Sequence, residues 1–215
     1  MGLPLEACLV YDIWPVSDNA KTHNELLREE ADVALVARAQ TSDLSAFEEL
    51  VRRYRNDVFR LSYHYLRNRE EAWDLSQEVF IKAYRSVGYF RGESNFKTWL
   101  LRIAANQCKD FFKKRRLATV SFDDRIGVDT PGRQLEPGRA MAAQEIGEAI
   151  QAALAKLPHK HRTAFVLREF EGLSYEEMSQ VMQCSLGTVM SRLHHARKKL
   201  QQSLIHMGIV EESDL

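Results

Sequence analysis

Two stretches of this 215-residue chain carry side chains suited to holding nucleic acid. In the first, Tyr84, Tyr89, Phe90, Phe96 and Trp99 interleave with Arg85, Arg91, Lys97 and Arg102. Aromatic rings stack on exposed bases of any sequence for about 1–3 kcal/mol each, and nearby cations neutralise phosphates. Helical spacing assigns Phe96 and Trp99 mainly to packing and leaves residues 90–95 as the contact loop. The run Lys113-Lys114-Arg115-Arg116 either complements a helix C-terminus or meets phosphates, and its density favours phosphates. In the second stretch, Ser191, His194, His195 and Lys198 recur at helical offsets, flanked by Arg192, Arg197 and Lys199, and residues 186–200 contain no acid. Such a helix fits the major groove, with its N-terminal half reaching base edges and its Arg and Lys setting register on phosphates. A plain solvated helical face is the alternative. No metal site is expected: His159 and His161, two apart, do not share a helix face, and no cysteine lies nearby. Acids such as Glu78 and Glu93 are scattered, with no HExxH, P-loop or zinc-deaminase pattern, so no catalytic residues are expected.

The elements that must position these residues read as helices. Ser45-Ala46-Phe47-Glu48 has the form of a capping box, and Phe47, Leu50, Val51, Tyr54, Val58, Leu61 and Tyr65 then trace one apolar stripe. Asn68-Arg69-Glu70-Glu71 starts a second helix that runs to about Val87 and stops at Gly88. After a loop, a third helix turns Phe96, Trp99, Leu100, Ile103, Ala104, Gln107 and Phe111 inward and Arg102, Lys109, Lys113 and Arg116 outward. Residues 117–142, rich in Gly, Pro and Asp, read as a flexible linker. Beyond Ala143, Leu157-Pro158 marks a turn and Ser174-Tyr175-Glu176-Glu177 a second capping box. A short helix, the turn Gln183-Cys184-Ser185 and a long helix follow, the spacing of a helix-turn-helix. On the long helix Leu186, Val189, Leu193, Ala196, Leu200 and Leu204 form the apolar stripe. The fold class expected is all-α: two small helical domains on a flexible tether, the C-terminal one with a helix-turn-helix. Residues 1–27 read as a loose extension whose Trp14 could dock on the rest of the chain, and residues 207–215 as an acidic tail.

Composition agrees. With 45% hydrophobic and 28% charged residues the chain can build cores, which excludes disorder throughout. Net charge is zero, yet residues 51–120 hold 16 basic and 7 acidic side chains, a polyanion-binding block in a neutral protein. The linker region leans the other way, with 6 acids to 3 bases over residues 121–150. Three cysteines, Cys8, Cys108 and Cys184, are too few for a disulfide framework and suggest the cytoplasm. Neither a bilayer-spanning run nor a secretory leader is evident.

At this point the residues carry a resemblance. Asp74-Leu75-Ser76-Gln77-Glu78-Val79-Phe80, Phe90-Arg91-Gly92-Glu93-Ser94, Trp99-Leu100 and Arg102-Ile103-Ala104 resemble region 2 of bacterial sigma factors. Leu157-Pro158, Gly172-Leu173-Ser174-Tyr175-Glu176-Glu177, Gly187-Thr188-Val189 and Ser191-Arg192-Leu193-His194 resemble region 4. Both halves, in order and joined by a Pro/Gly linker, are similar to the extracytoplasmic-function (ECF) branch of the sigma-70 family. The resemblance implies a promoter-specificity subunit of RNA polymerase, with region 2 over 28–116 and region 4 over 143–206.

By the same resemblance, Asp74, Gln77, Glu78, Lys82 and Arg85 would dock on the polymerase clamp. Phe90, Arg91, Glu93, Ser94, Asn95, Lys97, Arg102, Asn106, Lys109 and Lys113 would hold the melted minus-ten strand, one base flipped into the loop. Thr188, Met190, Ser191, Arg192, His194, His195, Arg197 and Lys198 would read the minus-thirty-five duplex beside the polymerase flap. The partners implied are core polymerase, duplex and single-stranded promoter DNA, and an anti-sigma factor, with membrane contact only through a membrane-bound anti-sigma; no cofactor is implied. Two positions depart from the family pattern: Met190 stands where Arg or Lys is usual, and His195 where Arg is common. Neither Met nor neutral His reads guanine bidentately, so the familiar minus-thirty-five sequence is not expected. Protonation of His195 near its reference pKa of about 6.5 would add a phosphate partner. A stand-alone helix-turn-helix regulator, binding duplex DNA as a dimer without polymerase, is the rival reading.

Overall fold

The computed structural model describes residues 23–120 and 149–207. Trp14, most of the expected extension, the linker beyond Val120 and the tail beyond Met207 lie outside the described residues. Residues 23–27, expected in the extension, are the first turn and more of helix α1 (His23–Gln40).

A tight turn, in which Ser42 has φ 69°, leads into α2 (Leu44–Leu66). The cap of α2 is Asp43, whose carboxylate accepts the Ala46 amide at 3.2 Å. Ser45 lies inside the first turn and donates its hydroxyl to Asp43 at 2.7 Å. The cap therefore sits two residues before the Ser45 box expected from the sequence, because an ionised carboxylate is a stronger acceptor than a hydroxyl. Hydrogen bonds from Ser45 and Arg38 hold the Asp43 carboxyl down to about 2.

Helix α2 ends on Arg67, left-handed at φ 58°, whose amide donates to Tyr63 O at 2.9 Å. Asn68 then caps α3 (Arg69–Ser86), accepting the Glu70 and Glu71 amides at 2.9 and 3.1 Å. A two-residue link between helices forces a hairpin, so α3 runs back along α2. A 3-10 turn, Val87–Tyr89, and an open loop lead to Asn95, whose side chain accepts the Thr98 amide at 2.7 Å and starts α4 (Phe96–Val120). Helix α4 thus continues four residues past the expected linker start at 117. The stripe read from the sequence is the core here: Leu50, Tyr54, Val58 and Leu61 of α2 meet Leu75 and Val79 of α3 and Leu100, Ala104 and Cys108 of α4. Burial pushes the Cys108 thiol up to about 12, so it is an inert core group.

The second unit comprises α5 (149–156), α6 (His159–Glu169), α7 (Tyr175–Met182) and α8 (Leu186–His206). The Ser174–Glu177 capping box forms as expected, with Glu177 donating its amide to Ser174 Oγ at 3.2 Å and accepting the Ser174 amide at 2.9 Å. Gln183, left-handed at φ 51°, and the cap Ser185 make the turn into α8. Val189, Leu193, Ala196, Leu200 and Leu204 are buried, whereas Leu186, expected on the same stripe, is 40% exposed. It sits in the first helical residue, before the helix has come over the core.

The two units do not hang apart: helices α2 and α4 pack against α6 and α7. Phe170 stacks on His64 with centroids 4.1 Å apart. The Tyr65 hydroxyl hydrogen-bonds to Thr163 Oγ1, and Arg162 donates to Tyr65 O at 3.2 Å. Among the described residues the buried apolar core is continuous across both units.

Candidate nucleic-acid interface

The loop after α3 forms one wall of a cleft of about 580 Å³. Phe90, Arg91, Gly92, Ser94, Asn95 and Phe96 line it on the loop side, and Asp32, Val33, Val36, Ala37 and Gln40 of α1 line the other. Phe90 rests on Trp99 and Phe96, at 5.2 and 6.2 Å between centroids, and Phe96 rests on Tyr54 at 5.6 Å. Phe96 and Trp99 are buried, as their spacing implied, and act as the floor under a half-buried Phe90. Gly92 takes φ +72°, a backbone state that an L side chain adopts only with strain. Arg91 and Glu93 are exposed, and Tyr89 is 85% exposed beside them.

The α1 wall is the part of this site that sequence reasoning missed. Gln40 donates through Nε2 to Phe90 O at 2.8 Å and to Val87 O at 3.1 Å. Buried Asp32 accepts from Arg53 at 2.9 Å and from the Tyr54 hydroxyl, which pins α1 to α2.

The basic and amide side chains expected on the same surface divide into two groups. Asn106, Lys109 and Lys113 are exposed along one face of α4, with Arg102 half-buried at its start. Asn95 and Lys97 instead face the second unit. Asn95 donates to Glu177 at 2.8 Å. Lys97 donates to Glu171 O at 3.1 Å and lies 3.8 Å from its carboxylate and 3.5 Å from Asp57. Arg60 completes the cluster, 3.1 Å from the fully buried Glu171 carboxylate. Burial raises the Glu171 pKa, against the pull of Arg60 and Lys97.

On α3, Asp74, Gln77, Glu78, Lys82 and Arg85 are all exposed at steps of three and four, with Trp73 and Ile81 also exposed beside them. Glu78 and Lys82 share one anchor: Lys82 donates to Gln107 Oε1, and Gln107 Nε2 donates to Glu78 at 3.3 Å. That face is an exposed polar strip with two apolar side chains set in it.

On α8, Met190, Ser191, His194, His195 and Lys198 are exposed and Thr188 is half-buried. Arg197 turns back to Glu169 at 2.8 Å, and Arg192 donates to Cys184 Sγ at 3.3 Å. The rings of His161 and His195 stack at 5.8 Å, so His161, which shares no face with His159, meets α8 instead. Among the described residues no group of three His, Cys, Asp or Glu side chains is arranged to hold a metal. No described helix is long and apolar enough to cross a membrane.

Family models for sigma-70 region 2 and sigma-70 region 4 match residues 50–118 and 147–200. The RNA polymerase sigma-H factor of Pseudomonas aeruginosa is 41% identical over 186 residues, covering 83% of this chain and 96% of that protein. The ECF RNA polymerase sigma-E factor of Escherichia coli is 38% identical over 180 residues, covering 80% and 94%. Among solved structures, CnrH in complex with the cytosolic domain of CnrY superimposes with a TM-score of 0.63 at 25% identity, over 82% of this chain and 98% of that one. The sigma factor RpoE of Bartonella quintana, in complex with the anti-sigma factor NepR, has the same fold, with a TM-score of 0.59 at 24% identity over 74% and 96%.

Proposed function

The chain belongs to the sigma-70 family, as a transcription initiation factor of the extracytoplasmic-function type, and from that premise we propose how its surfaces divide the work. Residues 28–116 act as region 2, 143–206 as region 4, and 117–142 as the tether threaded between their sites. The α3 strip of Asp74, Gln77, Glu78, Lys82 and Arg85 docks on the polymerase clamp. The cleft between α1 and the loop takes up an unpaired minus-ten base, while Arg102, Asn106, Lys109 and Lys113 track the strand's phosphates. Helix α8 enters the minus-thirty-five major groove with Thr188, Met190, Ser191, His194, His195 and Lys198.

One observation carries the reading: an open cleft bounded by a Gly92 turn and floored by stacked aromatics lies beside a face of cations. Unstacking a base costs a few kcal/mol, and a shaped pocket plus stacking offsets that for one or two bases. Polymerase contacts supply the remainder. The subunit therefore does no covalent chemistry, works in the cytoplasm, and binds promoters weakly by itself. An anti-sigma factor that covers the α3 strip controls it; the Bartonella relative is in complex with the anti-sigma factor NepR.

Run-off transcription with core polymerase on a genomic DNA pool, followed by permanganate footprinting of the promoter recovered, tests the proposal. Reactive thymines near minus ten are expected only with the complete assembly. Tight promoter binding without core, or a blank footprint with it, would overturn the reading in favour of a stand-alone regulator.

A further inference from the structure

We propose that Gln40 is a positioning residue for strand capture, a role that rests on the base-cleft reading above. The 3-10 turn Val87–Tyr89 closes on itself through the Phe90 amide, which donates to Val87 O at 3.0 Å. Gln40 then spans both ends of that turn with one NH2 group, on Val87 O and Phe90 O. The consequence is geometric. Phe90 is the hinge between the turn and the cleft wall, and its carbonyl direction sets the path of Arg91, Gly92 and Ser94. Without the amide, the Phe90 carbonyl sits where water can reach it, so little stability is lost. What is lost is the single arrangement of the wall, and preorganisation is what a capture site depends on.

Three variants test this in reconstituted holoenzyme on the promoter recovered by run-off selection. Gln40→Leu removes the donor, Gln40→Glu keeps the shape without the donor, and Gln40→Lys restores a donor. The first two should cut permanganate-reactive complexes about tenfold, because the wall then samples other arrangements and capture must reorder it. Gln40→Lys should recover most of that loss. Core affinity and melting temperature should stay at the wild-type level in all three, which a merely structural role would not give. Wild-type footprints from Gln40→Leu, or from Gln40→Glu, overturn the assignment. A blank footprint from the wild type would instead sink the base-cleft reading itself.

A separate observation carries a second inference: the structure assigns an intramolecular clasp that keeps the free chain closed. Glu171 and Glu177, on either side of the turn from α6 into α7, bind Arg60, Lys97 and Asn95 of the first unit. Asn95 lines the base cleft and Lys97 is in the first turn of α4, so the clasp consumes two groups proposed to hold the strand. The Glu171 carboxylate is buried while Arg60 and Lys97 stay partly exposed, so Coulomb gain and desolvation nearly cancel with both partners present, and removing one strands the other. Such a contact holds when nothing competes and yields to a partner that binds either unit.

Small-angle scattering of the full chain tests closure directly. Glu171→Lys and Arg60→Glu should each enlarge the radius of gyration, and the exchanged pair Arg60→Glu with Glu171→Arg should return it. Both single variants should also bind a fluorescent 20-nucleotide single strand of mixed sequence severalfold more tightly, Arg60→Glu in spite of its added negative charge. An unchanged radius in both single variants overturns the clasp. A larger radius with no gain in strand binding overturns its inhibitory role.

Discussion

Acidification should open the chain, and His159 sets the size of the effect. This residue starts α6 directly after Pro158 and is covered by the rings of Tyr65 and Phe112 from the first unit, at 5.0 and 6.2 Å. Its Nε2 is buried with no hydrogen-bond partner among the described residues, so a proton there would have no acceptor. Arg162, Lys109 and Lys160 add positive potential around it. Burial first, and these cations second, lower its pKa from 6.5 to about 4. A histidine with a lowered pKa in the packed state binds fewer protons there than when exposed. Its contribution to closure is complete above pH 6.5 and is lost as pH falls toward 4. Taken whole, that shift would cost closure about 2 kcal/mol at pH 5. Discounted for solvent screening of the partly exposed ring and for Arg162 and Lys160, which stay beside it in the open form, the cost is about 1 kcal/mol, roughly fivefold toward the open form.

His64, stacked on Phe170 and hydrogen-bonded by Gln151, is lowered by burial and pushes the same way, with Arg60 and Arg67 beside it. Glu171 opposes both: its pKa is raised when buried, so protonation at low pH relieves a cost of closure. The histidines act first, because their exposed value lies above that of any carboxylate. Scattering at pH 7.5 and pH 5 reads the net change, and His159→Phe should remove most of it. An equal pH response in His159→Phe and the wild type would refute the reasoning.

Four further outcomes are expected. Gly92→Ala meets no atom within 4 Å, so its cost is the left-handed backbone alone, about 1 kcal/mol; it should lower open-complex yield severalfold in a permanganate assay without changing core affinity. Leu61→Ala, in a fully buried site between α2 and α3, should cost about 2–4 kcal/mol and lower the thermal midpoint accordingly. Lys113→Ala should weaken holoenzyme binding to every promoter alike and reduce the slope of log K against log salt by about one. Met190 is 51% exposed near the start of α8, where an apolar side chain suits a thymine methyl; Met190→Arg should move the selected base at its position to guanine in a randomised minus-thirty-five library.

Local signals were legible in the sequence and distant ones were not. The Ser174–Glu177 box forms as read because both partners lie within one turn and no stronger acceptor stands nearby. The Ser45 box fails for the converse reason, since Asp43 two residues earlier offers a carboxylate. The aromatic floor under the loop follows from helical spacing, so Phe96 and Trp99 were assignable to packing. Gln40 carries no such signal: its acceptors lie 47 and 50 positions away, and a glutamine at a helix end is ordinary. The contacts between units span still longer separations, 111 positions for Arg60 and Glu171. No composition shift or periodicity encodes a pairing of that kind, and a Gly/Pro linker read alone suggests independence.

That linker and that contact are compatible once energies are compared. Closing a loop costs only about 0.6 kcal/mol more for each doubling of its length, so a long tether hardly disfavours contact between the units it joins. It also makes the contact between the units intramolecular. The buried apolar contact and the polar latch together are then sufficient to populate the closed form. A partner that binds either unit therefore has to overcome this contact and not the tether.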